Sequence, residues 1–208
     1  MKDKEFRTPR PRIRASWYLL GLVVVCCAVG ATWFEAKYST PPLQKIRQLP
    51  DFKLTERSGS EIQLSDLKGK VWLADLVYTT CPSTCPMLSN RLSSLQSEAF
   101  KNDAVRFVSI SVNPAHDTPE VLRTYAEKFH ANQGKWFFLT GDKTKVTELV
   151  DWGFLLAAKE TSDGSAEMMH STKIALVDRS GVIRAYYEGA QGDETQQILR
   201  DIERLLRE

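Results

Sequence analysis

Cys81-Pro-Ser-Thr-Cys85-Pro sets two thiols on either side of a three-residue gap, each followed by proline. A thiolate, not a thiol, is the nucleophile and the metal ligand, so the chemistry depends on what surrounds the sulfurs. Upstream, Val71-Trp-Leu-Ala-Asp-Leu-Val-Tyr78 is a mostly apolar run that suits a buried central strand. Downstream, Leu88, Leu92, Leu95 and Ala99 recur at helical spacing. The motif therefore joins a strand end to a helix N-terminus, a frequent functional position in α/β folds. Unpaired amides and the helix dipole favour negative charge there, which lowers the pKa of a thiol. Pro86 fits the first helical turn, where a missing amide hydrogen costs nothing. Pro82 stiffens the loop between the sulfurs.

Thiol-disulfide oxidoreductases use Cys-x-x-Cys. The extra residue here widens the loop and lets both sulfurs face a third body, while disulfide closure stays open if the Cα atoms come within roughly 7 Å. Metal binding and a dithiol/disulfide couple are both admitted. Two thiolates fall short of the four ligands of a structural zinc site, whereas soft thiolates suit Cu(I). A third ligand is then to be sought among three histidines. His170 follows a polar loop with Asp163, Gly164 and Ser165 and immediately precedes a strand-like run; its neutral imidazole is a usable copper ligand, and a plain turn histidine fits the same residues. Met168 and Met169 could offer thioethers but read better as packing at a strand start. His116, in Asn113-Pro-Ala-His-Asp-Thr-Pro119, reads as part of a turn and helix cap. His130 reads as a surface residue at a helix end. Asp75 interrupts the apolar strand; it could tune a thiol or shuttle a proton, and the expectation is that it faces out at the rim of the sheet. Trp72 and Tyr78 read as core.

The elements that must position these residues alternate. After the first strand and helix come a strand at Val105–Val112, a helix from Pro119 to about Phe129 capped by Thr118, a short strand at Lys135–Leu139 and a helix at Lys143–Trp152 ended by Gly153. Lys173–Val177 and Val182–Tyr187 flank Asp-Arg-Ser-Gly and read as an antiparallel hairpin. Ile198, Leu199, Ile202, Leu205 and Leu206 mark a C-terminal amphipathic helix. Parallel strands joined by helical crossovers and closed by a hairpin describe an α/β domain with a thioredoxin-like central sheet and flanking helices.

The N-terminus reads differently. No charged residue occurs from Ala15 to Phe34, and most of that run is apolar, long enough for a transmembrane helix. Trp17, Tyr18, Trp33 and Phe34 sit at its ends as interfacial anchors do, and six basic residues against two acidic ones precede it, which keeps that end cytoplasmic. Cys26 and Cys27 fall within the run and read as small apolar residues. The expected organisation is a basic tail (1–14), an anchor (15–34), a proline-bearing linker (35–50) and the folded domain (51–208). Six of the 28 basic and two of the 26 acidic residues lie before the domain side of the anchor, leaving 22 and 24. This near-neutral balance gives no basic stripe for nucleic acid.

Leu76-Val-Tyr-Thr-Thr-Cys81-Pro-Ser-Thr-Cys85-Pro resembles the signature of the Sco/SenC copper proteins. Ser109-Ile-Ser-Val-Asn-Pro-Ala-His-Asp-Thr-Pro119 resembles that family's second block, and His170 followed by Ile174–Gly181 resembles its third. The resemblance spans about residues 50–205. It implies a thioredoxin-like fold, copper as the bound metal, and Cys81, Cys85 and His170 as its ligands. It also implies a role at the binuclear copper centre of cytochrome c oxidase, as metallochaperone or as thiol reductant. Two departures stand out: Ser83 where many members carry an acidic residue, and Asn113 where many carry aspartate. The expectation is a single-pass protein of a bacterial inner membrane whose domain delivers copper in the periplasm to a terminal oxidase. The alternative is a tethered thiol-disulfide reductase using the Cys81/Cys85 redox pair.

Overall fold

The structure, a computed structural model, describes residues 21–27, 29, 41–156, 172–189 and 194–208. The chain divides into two units, Met1–Pro42 and Leu43–Glu208. In the first, residues 21–27 are helical (α1), and Leu22, Val23, Val24 and Val25 are exposed. The rest of the expected anchor lies outside the described residues, apart from Val29. No helix among the described residues is long and apolar enough to cross a membrane.

The second unit is organised by β4 (Val71–Val77), every residue of which is buried. A strand with no polar face needs cover on both sides. Val71 and Leu73 pack in one cluster with Leu88, Leu92 and Leu95 of α3 (Thr84–Ala99), while Trp72, Ala74 and Leu76 pack in another with Leu139, Val146 and Phe154. β5 (Val105–Ser111) pairs with β4 in parallel, and β6 (Trp136–Thr140) continues the parallel run. On its other side β4 pairs antiparallel with β7 (Lys173–Val177), which forms the expected hairpin with β8 (Val182–Glu188). α4 (Pro119–Lys128) makes the crossover to β6, with Thr118 Oγ1 accepting from the Val121 amide at 3.4 Å. α5 (Lys143–Glu148) starts at an Asp142 cap but does not run regularly to Trp152; Leu149–Gly153 widens into a π-helical turn. α6 (Thr195–Arg207) buries Ile198, Ile202 and Leu205.

Three short strands and one helical turn complete the unit: β1 (Arg47–Gln48), β2 (Lys53–Glu56), β3 (Glu61–Gln63) and α2 (Leu64–Leu67). The sheet order is β1-β8-β7-β4-β5-β6-β2-β3. β1 pairs with β8, Leu49 is buried, and the buried Arg184 side chain donates to the carbonyls of Leu43 and Gln44. Arg184 also pairs with Asp178 at 3.0 Å and Glu208 at 2.7 Å. The compact unit thus begins at Leu43, ahead of the Asp51 expected from the sequence, because the segment expected as a linker supplies an edge strand and two carbonyl acceptors.

Gly189, just past β8, carries a packing constraint close to the cysteines. A methyl group there would fall on Leu88 Cδ2 of α3 and lie 2.9 Å from the Thr172 carbonyl oxygen. The leucine end can move, but the carbonyl belongs to the backbone, which receives the Gly189 amide at 2.7 Å. Gly189→Ala is expected to destabilise the domain by about 2 kcal/mol, in the range of overpacking substitutions. Urea unfolding checks it, and a change below about 0.5 kcal/mol would show that the site relaxes freely.

Candidate metal centre

β4 ends at Val77, and the next residues turn the chain into α3, with the Cys81 amide donating to the Tyr78 carbonyl at 3.1 Å. Cys81 precedes the helix and Cys85 lies in its first turn. Ser83 occupies the N-cap without a side-chain cap bond. The amides left free there turn to sulfur instead: Cys85 N donates to Cys81 Sγ at 3.3 Å, and the Ser83 amide also reaches that sulfur. Sulfur stands where an oxygen usually caps.

Tyr78, Cys81 and Cys85 form a small buried cluster with Val112 against it. Tyr78 is core, as its sequence position suggested, and it also touches both sulfurs. Its hydroxyl donates to Cys81 Sγ and its amide to Cys85 Sγ. The signal for this was the need of a buried phenol for a partner.

The two thiols differ. Burial raises the Cys81 thiol, but the amides of Cys85 and Ser83, the Tyr78 hydroxyl and the Cys85 thiol all donate to it and hold it below its ordinary value. Burial drives the Cys85 thiol far up; the Tyr78 amide opposes this, and donation to Cys81 and the nearby Cys81 and Asp75 charges add to it. Cys81 is the sulfur that ionises more readily, and Cys85 the one that holds its proton more tightly. Both are free thiols.

Asp75 does not face the rim. It shares the parity of Val71 and Leu73, so it points to the α3 side of a strand flanked by β5 and β7, and it is wholly buried. Ser109 Oγ donates to its Oδ1 at 2.6 Å and is itself held by Trp136 Nε1 at 2.9 Å, while Oδ2 has no hydrogen-bond partner. Burial pushes its carboxyl up to about 7, against the Ser109 hydrogen bond.

Asp117, unremarked in the sequence, is the second buried carboxylate of the region. Its Oδ1 accepts from Thr79 Oγ1 at 2.6 Å and from His116 Nδ1 at 2.9 Å; its Oδ2 accepts from the Thr79 amide at 3.1 Å and Ser111 Oγ at 2.6 Å. Thr79 lies two residues before Cys81, so Asp117 clamps the cysteine loop to the β5–α4 connection. The only sequence signal was a carboxylate in a turn rich in hydroxyl donors. His116 is in the expected turn, its amide donating to the Asn113 carbonyl at 3.0 Å. His130 is exposed at the end of α4 with φ 51°, as a surface residue.

His170, Met168 and Met169 lie outside the described residues. Among the described residues no group of three or more His, Cys, Asp or Glu side chains is assembled for a metal.

The SCO1 protein homolog of Bacillus subtilis is 29% identical over 157 residues, covering 74% of this chain and 81% of its own. BsSco, a member of the Sco family of cytochrome c oxidase assembly proteins in which a disulfide switch was identified, superposes with a TM-score of 0.69 at 25% identity, covering 80% of this chain and 98% of its own. Bradyrhizobium japonicum ScoI, solved with copper bound, superposes with a TM-score of 0.64 at 28% identity, covering 77% of this chain and all of its own. The mixed α/β fold is the thioredoxin-like fold of these structures. The family model described as SCO1/SenC matches residues 41–207, and the chain belongs to that family.

Proposed function

We propose that this protein is a copper metallochaperone that holds the metal through Cys81, Cys85 and His170 and serves the copper centre of a terminal oxidase. The observation that carries the reading is the pair of unlike sulfurs in one buried cluster at the C-terminal end of β4. Their donor chemistry fits Cu(I), which prefers soft sulfur and accepts few ligands. The place of β7 supports the third ligand. β7 runs antiparallel to β4, with Ala175 opposite Ala74 and Val177 opposite Trp72, so its N-terminal end lies at the cysteine end of the sheet. Thr172, two residues after His170, accepts from the Gly189 amide beside Leu88, the next turn of α3 after Cys85. Two residues of chain span at most about 7 Å.

Copper is the cargo. The chain's own part is to ease the ionisation of Cys81, to shield both sulfurs from solvent and to fix their loop through Asp117. Residues 15–34 form a single-pass anchor in this reading, with the basic tail in the cytoplasm and the domain in the periplasm. The charge-free apolar run and the exposed Val23, Val24 and Val25 of α1 support it. Anaerobic titration of the fully reduced protein with Cu(I) tests the function. One equivalent should bind tightly; absence of stoichiometric binding would overturn it.

One observation favours a second reading. A thiol that ionises more readily beside one that holds its proton is the arrangement of an attacking and a resolving cysteine. Cys81 thiolate would attack a target disulfide sulfur, forming a mixed disulfide and releasing one target thiolate. Cys85 would then pass its proton to the target thiolate just released and close on Cys81, releasing the second target thiolate and leaving the target reduced and this pair oxidised.

A further inference from the structure

We propose that His116 is an auxiliary copper-docking ligand at the mouth of the cysteine loop, a site through which the ion passes on its way to or from the sulfurs. The inference rests on the copper-handling reading above. His116 Nδ1 lies 2.9 Å from Asp117 Oδ1, and the Asp117 carboxylate also receives the Thr79 hydroxyl, the Thr79 amide and the Ser111 hydroxyl. A carboxylate already accepting from three other groups has only lone pairs to offer, so Nδ1 must carry the proton. In the neutral ring the second nitrogen then presents a bare lone pair. It has no hydrogen-bond partner among the described residues, and the ring is 51% exposed while Asp117 is fully buried.

This is the way metal-binding histidines are set up. One nitrogen donates to a fixed carboxylate, which locks the tautomer, orients the ring and raises the basicity of the other nitrogen toward a cation. Imidazole suits copper in either common oxidation state better than it suits the hard cations. Position completes the argument. Nδ1 is 3.3 Å from Thr79 Oγ1, and two residues of chain, at most about 7 Å, separate Thr79 from Cys81. A single imidazole with water binds weakly, as a transit ligand must if the ion is to move on. His130 supplies the internal control, for it too is an exposed surface histidine but has no carboxylate partner among the described contacts.

Two measurements test the proposal. In a Cys81→Ser/Cys85→Ser/His170→Ala background, substoichiometric Cu(II) should broaden the His116 ring signals in nitrogen-15 NMR well before those of His130. Asp117→Asn in that background should weaken the effect by roughly 10–100-fold, the usual cost of losing such a partner. In the otherwise intact reduced protein, loading with Cu(I) given as its acetonitrile complex should be about tenfold slower for His116→Ala, with the same final stoichiometry. His130→Ala should load at the parent rate. Equal broadening of His116 and His130, or parent-rate loading of His116→Ala, would overturn the proposal. Failure of the parent protein to bind one equivalent would instead overturn the function it rests on, and the NMR comparison would still decide whether His116 takes the ion.

Discussion

His170→Ala is expected to weaken Cu(I) binding by more than 100-fold while leaving thiol-disulfide exchange by Cys81 and Cys85 nearly unchanged, and Cys81→Ser is expected to abolish both. The ordering follows from what each group contributes. Loss of a partner that merely supports a metal ligand costs roughly 10–100-fold, so loss of a ligand from a site of only three must exceed that. Serine at position 81 removes the one sulfur that amides, the Tyr78 hydroxyl and the Cys85 thiol all converge on, leaving only the buried Cys85, whose thiol is held far above its ordinary value. Competition titration against a Cu(I) chelator gives the affinities, and reduction of a small peptide disulfide gives the exchange rates. Unchanged copper affinity in His170→Ala would remove the imidazole from the site. If exchange also survived, a two-sulfur dithiol device would be the better account. The two readings of the function are separated by this split, because the resolving cysteine needs no histidine and the copper site does.

Much of this was legible from residue types and spacing. β4 announced itself as an uninterrupted apolar run, α3 by its leucine period, and β7–β8 by the turn Asp178-Arg-Ser-Gly181, whose Gly181 has φ 82°. These are local signals, set by period and by the conformational freedom of one glycine. What was missed depends on pairing between distant segments. β1 has two exposed residues and exists because Gln48 and Arg47 meet β8. β2 and β3 are short strands that extend the sheet beyond β6, with β3 at its edge, joined through Gly59, whose φ of 88° serves a turn; Ser58-Gly59 is the available sign. At the site, the cysteine spacing was enough to place the sulfurs at a helix start. The burial of Asp75 is not legible, because an acid in an apolar strand reads as an edge, and only the packing on both faces of β4 puts it inside. The Asp117 clamp joins residues 38 apart in sequence, so no local pattern could show it.

Asp75→Asn is expected to remove the pH dependence that the buried acid imposes on stability. Its carboxyl is pushed by burial from 3.8 up to about 7, so between those pH values the folded chain holds a proton that the unfolded chain has released. Stability is therefore greatest below about pH 4, falls as pH rises toward 7 and levels off above. At about 1.4 kcal/mol per unit, the full loss is on the order of 4 kcal/mol, of which about 3 kcal/mol falls between pH 5 and pH 8. Asparagine keeps an acceptor for Ser109 Oγ and cannot ionise. It leaves a buried amide donor where Oδ2 lacked a partner, at a cost of roughly 1–3 kcal/mol that does not vary with pH. The variant should thus be equal to the parent or less stable at pH 5 and more stable by roughly 1–3 kcal/mol at pH 8. Urea unfolding at the two pH values, with the difference between the proteins taken at each, isolates this group from every other titration. A difference that stays constant would mean that Asp75 ionises as readily inside as out. The same charge acts on the site, since a carboxylate formed above about pH 7 raises the Cys85 thiol further and deepens the inequality between the two sulfurs. The acid at this position thus lowers stability by an amount on the order of 4 kcal/mol at neutral pH and above while widening the difference between the two thiols.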